Sequence, residues 1–219
     1  MAPAAVAAEM IAAQEDLGDL KLYRVPERVT VSAKGLKQVA FLDKQDVEGR
    51  FLYTASCNVY AQIEDQARPA GILFATKNDD EHGLGAAMPM GGFTIFEPSS
   101  AGDLLIGEES IRDHAVGQDF EIPMGESTLV FSECARQADT QEPDREKANW
   151  SEMRAVLSNA GRNRATVRLD LGGSSDWEVT GIKGSKIKDG RRIVEVPVKA
   201  GQRKEIRFRI RHVTQAPST

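Results

Sequence analysis

The run Glu205–Arg211 sorts its side chains by parity: Ile206, Phe208 and Ile210 alternate with Arg207, Arg209 and Arg211. A helix would scatter both sets around its circumference, whereas a strand puts every apolar residue on one face and every arginine on the other. The segment therefore reads as a strand with one side in a core. Ala165–Leu171 repeats the pattern, with Val167, Leu169 and Leu171 set against Arg168 and Asp170. Gly172 to Asp176 then turns the chain into Trp177–Ile182, and Arg192–Val198 turns at Ala200-Gly201 into the arginine strand. Pro143–Ala160 fits two periods. A helix would align Trp150, Met153, Val156, Leu157 and Ala160, but the place of the segment before a hairpin favours a strand from Trp150 to Leu157. Such a meander of about five strands predicts a small immunoglobulin-like sandwich over 143–213, followed by a tail at 214–219.

Upstream, short β runs fenced by Gly, Pro, Asp or Ser occur at Leu20–Arg24, Arg28–Ser32, Leu36–Leu42, Phe51–Ile63, Gly71–Lys77, Phe93–Glu97, Leu104–Gly107, Phe120–Pro123 and Thr128–Ser132. Without helical periods between them they predict an irregular antiparallel β domain over 18–142, so the whole fold class is all-β. Residues 1–17 are Ala-rich and predict a linker or a short helix from about Ala4 to Leu17 that stops at Gly18. Met1–Ala13 lacks a basic residue before its apolar part and Glu9 interrupts it, so it is a poor secretion signal.

Composition narrows the class. The chain has 219 residues, enough to bury a core, and its 41% hydrophobic content is too high for a disordered chain. Two cysteines exclude a disulfide-framework scaffold and a four-cysteine zinc module. No stretch approaches the roughly 20 apolar residues of a membrane-spanning helix. The net charge of −5 conceals a division: residues 1–142 hold 11 Lys+Arg and 24 Asp+Glu, whereas residues 143–219 hold 17 and 9. A basic C-terminal part raises nucleic acid as a ligand, but its Lys and Arg are interspersed with acids and nearly lack the aromatic residues that stack on bases. The expectation is instead that this basic surface faces acidic protein, in the same chain or a neighbour, so the expected partner is a protein or a second copy.

Gly18-Asp19-Leu20-Lys21-Leu22-Tyr23, Pro26-Glu27-Arg28-Val29-Thr30 and Lys37-Gln38-Val39-Ala40-Phe41-Leu42 form a first block of motifs. A second runs through Gly83-Leu84-Gly85-Ala86-Ala87-Met88-Pro89-Met90-Gly91-Gly92 and Phe93-Thr94-Ile95-Phe96. Gly107-Glu108, Ile111-Arg112-Asp113-His114, Gly117, Gly125 and the closing hairpins up to His212 continue the order. In this order and spacing the chain resembles the C-terminal domain of unknown function of the mucoidy-inhibitor-A-like bacterial proteins, from about Gly18 to His212. The resemblance implies an all-β domain that follows an N-terminal domain and a coiled coil in an exported protein of the periplasm or cell envelope. It brings no agreed activity. Ala115-Val116 also stand where that family commonly has Thr-Pro after the Asp-His pair, so no residue role is carried over.

Chemistry-bearing residues are few, and no catalytic, cofactor-binding or metal-ligating residue is assigned. Asn78-Asp79-Asp80-Glu81-His82 and Asp113-His114 would make a metal or acid–base site if their loops converged, giving a hydrolase of envelope polymers through Asp79, Asp80, His82, Asp113 and His114. Asn and Asp are equally ordinary turn residues, and the solvated-loop reading is preferred. Gly83–Met88 begins like a dinucleotide loop, but Pro89 follows where a helix would run, so a turn or bulge is expected, in which Met88 and Met90 either fill the core or offer a contact surface. Ser127 lacks the second glycine of a nucleophile elbow. Asn149-Trp150-Ser151 matches a glycosylation sequon, and Trp150 and Trp177 are either core residues or sugar platforms of a carbohydrate-binding module. Cys57 and Cys134 either pair or remain buried thiols. The functional expectation is a non-enzymatic scaffold or binding module, with no cofactor.

Overall fold

A computed structural model describes residues 13–17, 20–25, 28, 30–31, 33–36, 40, 42–62 and 67–213. The fold is all-β, as the alternation predicts; its one helical element among these residues is a 3-10 turn at Asp80–His82. The chain divides into two compact units.

The smaller unit takes in Lys77–Met90 and Arg112–Asp119 with the described residues up to Glu48. It contains β1 (Ala13–Leu17) antiparallel to β2 (Leu20–Arg24), with Ala13 opposite Arg24 and Leu17 opposite Leu20. The end of the expected N-terminal helix is thus a strand, because pairing with β2 fixes Ala13–Leu17 as extended; the rest of that helix and the 214–219 tail lie outside the described residues. The described residues of Arg28–Ser32 and Leu36–Leu42 form no strand beyond an isolated bridge at Ala40. Val31 and Leu36 are 52% and 88% exposed, so the packing that makes β-branched and apolar residues good strand formers is missing there.

The larger unit is built on one mixed sheet, ordered β11 (Trp177–Thr180), β14 (Gln202–His212), β9 (Ser151–Asn159), β8 (Asp119–Arg136), β5 (Arg68–Lys77), β3 (Arg50–Ser56), β10 (Ala165–Gly173), β13 (Arg191–Val198), β12 (Lys186–Lys188), with β4 (Asn58–Gln62) pairing β8. Most ladders are antiparallel, but β3 runs parallel to β10, Tyr53 beside Val167, and β4 runs parallel to β8. Alternation specifies which side chains share a face and is silent on strand direction, so these parallel pairs had no signature.

Val167, Leu169, Val198 and Ile210 are fully buried in one cluster with Val130, Met153, Leu157 and Phe208. Residues from β8, β9 and β14 thus share a core with residues from β10 and β13, although the two groups sit at opposite ends of the strand order. The sheet folds back on itself, and the side-chain amide of Asn159 at the end of β9 donates to Val198 O and Lys199 O beyond β13, both at 3.2 Å.

That arrangement corrects the expected boundary at 142/143. β9 is bonded to β8, and β10 to β3, so strands from 143–213 and from 49–136 share one sheet and one core. The charge shift marks a change of surface, and Gln137–Trp150 is a loop inside the unit. β8 merges two predicted strands through Gly125, whose φ of +86° supplies the irregularity a side chain would resist. β6 (Gly91–Ser99) and β7 (Gly102–Ile111) form a separate two-stranded hairpin sheet in the same unit.

Candidate functional site

The five residues of the hydrolase reading fall on two loops of the smaller unit, which the fold does bring together. Met88 and His114 form an antiparallel bridge, with N–H to O distances of 3.0 and 2.9 Å in the two directions. Behind it lies Asn78, fully buried, whose amide nitrogen donates to Ala86 O, Ala115 O and His114 O at 2.8, 3.1 and 3.4 Å. Its backbone N–H donates to Gln118 O and its carbonyl accepts from Gly117 N–H. Asn78 is the organiser of both loops, and nothing in its turn-rich sequence neighbourhood singled it out.

The chemistry around it serves the backbone. Asp79 caps the 3-10 turn: Oδ1 accepts from His82 N–H at 3.0 Å and lies 2.6 Å from His82 Nδ1, while Oδ2 pairs with Lys77 Nζ at 3.1 Å. The His82 contact first, and Lys77 after it, hold the Asp79 carboxyl down to about 2. Asp113 Oδ1 accepts from Met90 N–H at 2.8 Å. His114 Nδ1 sits 2.6 Å from Arg112 O, a distance that requires the proton on Nδ1. A Cβ on Gly85 would lie 1.8 Å from Asp80 Oδ1, so this turn, at φ +65°, admits only glycine. Among the described residues no three His, Cys, Asp or Glu side chains are placed to hold a metal ion. Met88 is buried and fills the core, whereas Met90 is 71% exposed, so of the two only Met90 is open to contact.

A polar cleft of about 990 Å³ opens in the larger unit beside a disulfide between Cys57 and Cys134, whose Cα atoms are 4.5 Å apart. The cysteines are therefore paired. Cys57, between β3 and β4, also donates its N–H to Asp170 O at 2.9 Å, so the bridge links β8 to the β3–β10 pair. Arg168, 8% exposed, lies in the cleft wall and reaches Glu121 with Nη1 at 2.7 Å and Glu195 with Nη2 at 3.2 Å. Arg50 adds a bidentate pair to Glu195 at 2.8 and 3.1 Å. Parity placed Arg168 correctly on the polar face of its strand, but that face is itself covered in the fold.

Arg50 is the main cause holding the Glu195 carboxyl down to about 2. A carboxyl lowered in the folded state stabilises it fully above the unfolded value near 4.3, and that contribution disappears as pH falls through about 2. Arg50→Ala should therefore cost about 1 kcal/mol near neutrality, after allowance for solvent screening, with the deficit shrinking toward zero between about pH 4 and pH 2. Urea unfolding of both proteins across that range measures it; a pH-independent deficit would show that the pair contributes packing alone.

The arginine face of β14 is neutralised within the sheet. Arg154 pairs with Glu205 at 2.9 Å, Arg207 with Glu205 at 2.7 Å and Arg211 with Glu178 at 2.6 Å. Arg211 and Arg209 also lie over the Trp150 ring, at 4.5 and 5.6 Å from its centroid. Trp177 stacks on His212 at 4.0 Å and meets Tyr60 edge-on at 6.0 Å. Both tryptophans are half-buried, with ring surface already occupied by their own chain. The sequon asparagine is engaged too: Asn149 accepts from Asp144 N–H and donates to Glu142 O. Ser127 Oγ accepts from Val130 N–H at 2.9 Å, a structural role in β8.

The β6–β7 hairpin exposes Phe96, Leu104, Leu105 and Ile106 at 58, 54, 56 and 41%. Phe96 stands opposite Leu105, and a register shift leaves Ile106 as the extra residue. Three consecutive apolar residues in a strand break alternation, a signal visible in the sequence that pointed to a surface with a use.

The described residues thus define an all-β, disulfide-bonded chain with an apolar hairpin. No protein-family model, curated protein or solved structure matches it. Among the described residues no helix is long and apolar enough to cross a membrane.

Proposed function

We propose that this chain is a non-catalytic binding module of an exported protein, working in the periplasm or cell envelope through a protein contact at the β6–β7 hairpin. The observation that carries the reading is the exposure of Phe96, Leu104, Leu105 and Ile106 on one two-stranded hairpin, with Phe96 and Leu105 opposite each other, apolar surface of the kind that marks protein contact sites. The Cys57–Cys134 bridge supports an oxidising compartment. The resemblance of the Gly18–Thr30 and Gly83–Phe96 motifs to the mucoidy-inhibitor-A-like domain supports the same setting. Asp79, His82, Asp113 and His114 each already serve a capping or bridging contact, which favours binding over hydrolysis.

A photo-crosslinking residue in place of Leu105, used in intact native cells, tests this. The expected result is a discrete protein adduct, with Cys57 and Cys134 recovered oxidised from the same cells. Crosslinking no stronger than from an exposed control position such as Arg162, or recovery of both cysteines as thiols, would overturn the reading.

A further inference from the structure

The hairpin's charge is as one-sided as its surface is apolar. Residues 91–111 contain Glu97, Asp103, Glu108 and Glu109 and no lysine or arginine. A partner must therefore offer apolar surface framed by positive charge. The same chain carries such a surface at the far end of its sheet. β12 is the last strand in the order, with β13 on one side; Ile187, 59% exposed, stands opposite Arg192 on one face, and Lys186 and Lys188 lie on the other. Around it, residues 183–192 hold Lys183, Lys186, Lys188, Arg191 and Arg192 against Asp189. Glu195, Glu121 and Asp170 pair with Lys186, Lys188 and Arg191, but Arg50 and Arg168 share Glu195 and Arg168 shares Glu121, so the region keeps an excess of positive charge opposite in sign to the hairpin's.

We infer that the partner of the hairpin is a second copy of this chain, with the acidic β6–β7 hairpin of one molecule seated on the basic β12 edge of the next. This rests on the binding-module reading and names its partner. The charge pattern selects the contact. Two β12 edges brought together would oppose lysines, the usual device against edge-to-edge pairing, and two hairpins would oppose glutamates. Only the unlike pair is attractive, so the contact is head-to-tail and each molecule keeps one surface of each kind for a further neighbour. A two-stranded hairpin is also marginal by itself in water, and seating its apolar side chains on Ile187 gives them a dry surface.

Sedimentation velocity on the purified, oxidised chain tests the contact. The average mass should rise with concentration at low salt and fall back toward the monomer at high salt, since the charges flanking the contact are solvent-exposed. Glu97→Lys/Glu108→Lys should weaken self-association at least about tenfold, as should Lys183→Glu/Lys186→Glu, with circular dichroism and Tm unchanged. Leu105→Ser should weaken it comparably without a charge change. The two charge variants, each weakened alone, should associate when mixed, because the unaltered acidic hairpin of one then meets the unaltered basic edge of the other.

A wild-type chain that stays monomeric at high concentration and low salt overturns the proposal, as does a mixture that fails to associate. Neither result touches the broader reading: Leu105 adducts to a different protein in cells would leave the binding module standing with another partner. Absence of any specific adduct removes the binding module itself.

Discussion

Replacing Cys57 and Cys134 together by alanine is expected to lower the stability of the larger unit by about 4 kcal/mol. The bridge spans a sequence separation of 77 residues, and closing a loop of that length removes about this much conformational freedom from the unfolded chain. For a protein of this size such a loss corresponds to a fall in Tm of about 10 °C. Reduction of the native protein should reproduce the shift seen in the double variant by calorimetry. The location of the bridge adds to the effect, because Cys134 is 7% exposed within the main core cluster and its removal also leaves packing unfilled. A shift of less than about 3 °C in both experiments would mean that residual structure already restricts the unfolded chain without the bridge, and the loop-closure account would fail.

Arg168→Met is expected to cost about 2–3 kcal/mol, well beyond the loss of an ordinary surface ion pair. The methionine keeps most of the stem but leaves Glu121 and Glu195 with one fewer cation in a site where the Arg168 side chain was only 10% exposed. Glu195 retains Arg50 at 2.8 Å, and Glu121 keeps Lys188 at 3.5 Å, so the loss stays below that of an isolated buried charge. Adding Glu121→Gln to Arg168→Met should recover part of the deficit, since the uncompensated carboxylate is then gone. Chemical unfolding of the single and double variants gives the comparison. If Glu121→Gln adds its own full penalty to that of Arg168→Met, the two side chains act independently and the network account is wrong.

Much of the candidate site was illegible because it consists of contacts between distant residues. Asn78 reads as one more polar residue in a turn, yet its amide joins carbonyls 8, 36 and 37 residues away. The Asp-His pairs are visible in the sequence; the fold joins their loops through Asn78 and the Met88–His114 bridge, and the contacts of Asp79 and Asp113 cap and bridge backbone. The apolar hairpin, by contrast, is legible in Leu104-Leu105-Ile106, three consecutive apolar residues that break strand alternation.

The sequence by itself determined the fold class and the faces of its clearest strands. Ile206, Phe208 and Ile210 are each inward of the arginines that alternate with them, and Val167, Leu169 and Leu171 are wholly buried. Alternation is a local consequence of extended backbone geometry, so it survives whatever lies next door. Only the tertiary structure decided which strands are neighbours: that β10 runs parallel to β3 across more than a hundred residues, that Cys57 finds Cys134, and that the change of charge near residue 142 falls in a loop within one unit. Strand pairing depends on the summed packing of remote faces, and no local pattern of residues encodes that sum.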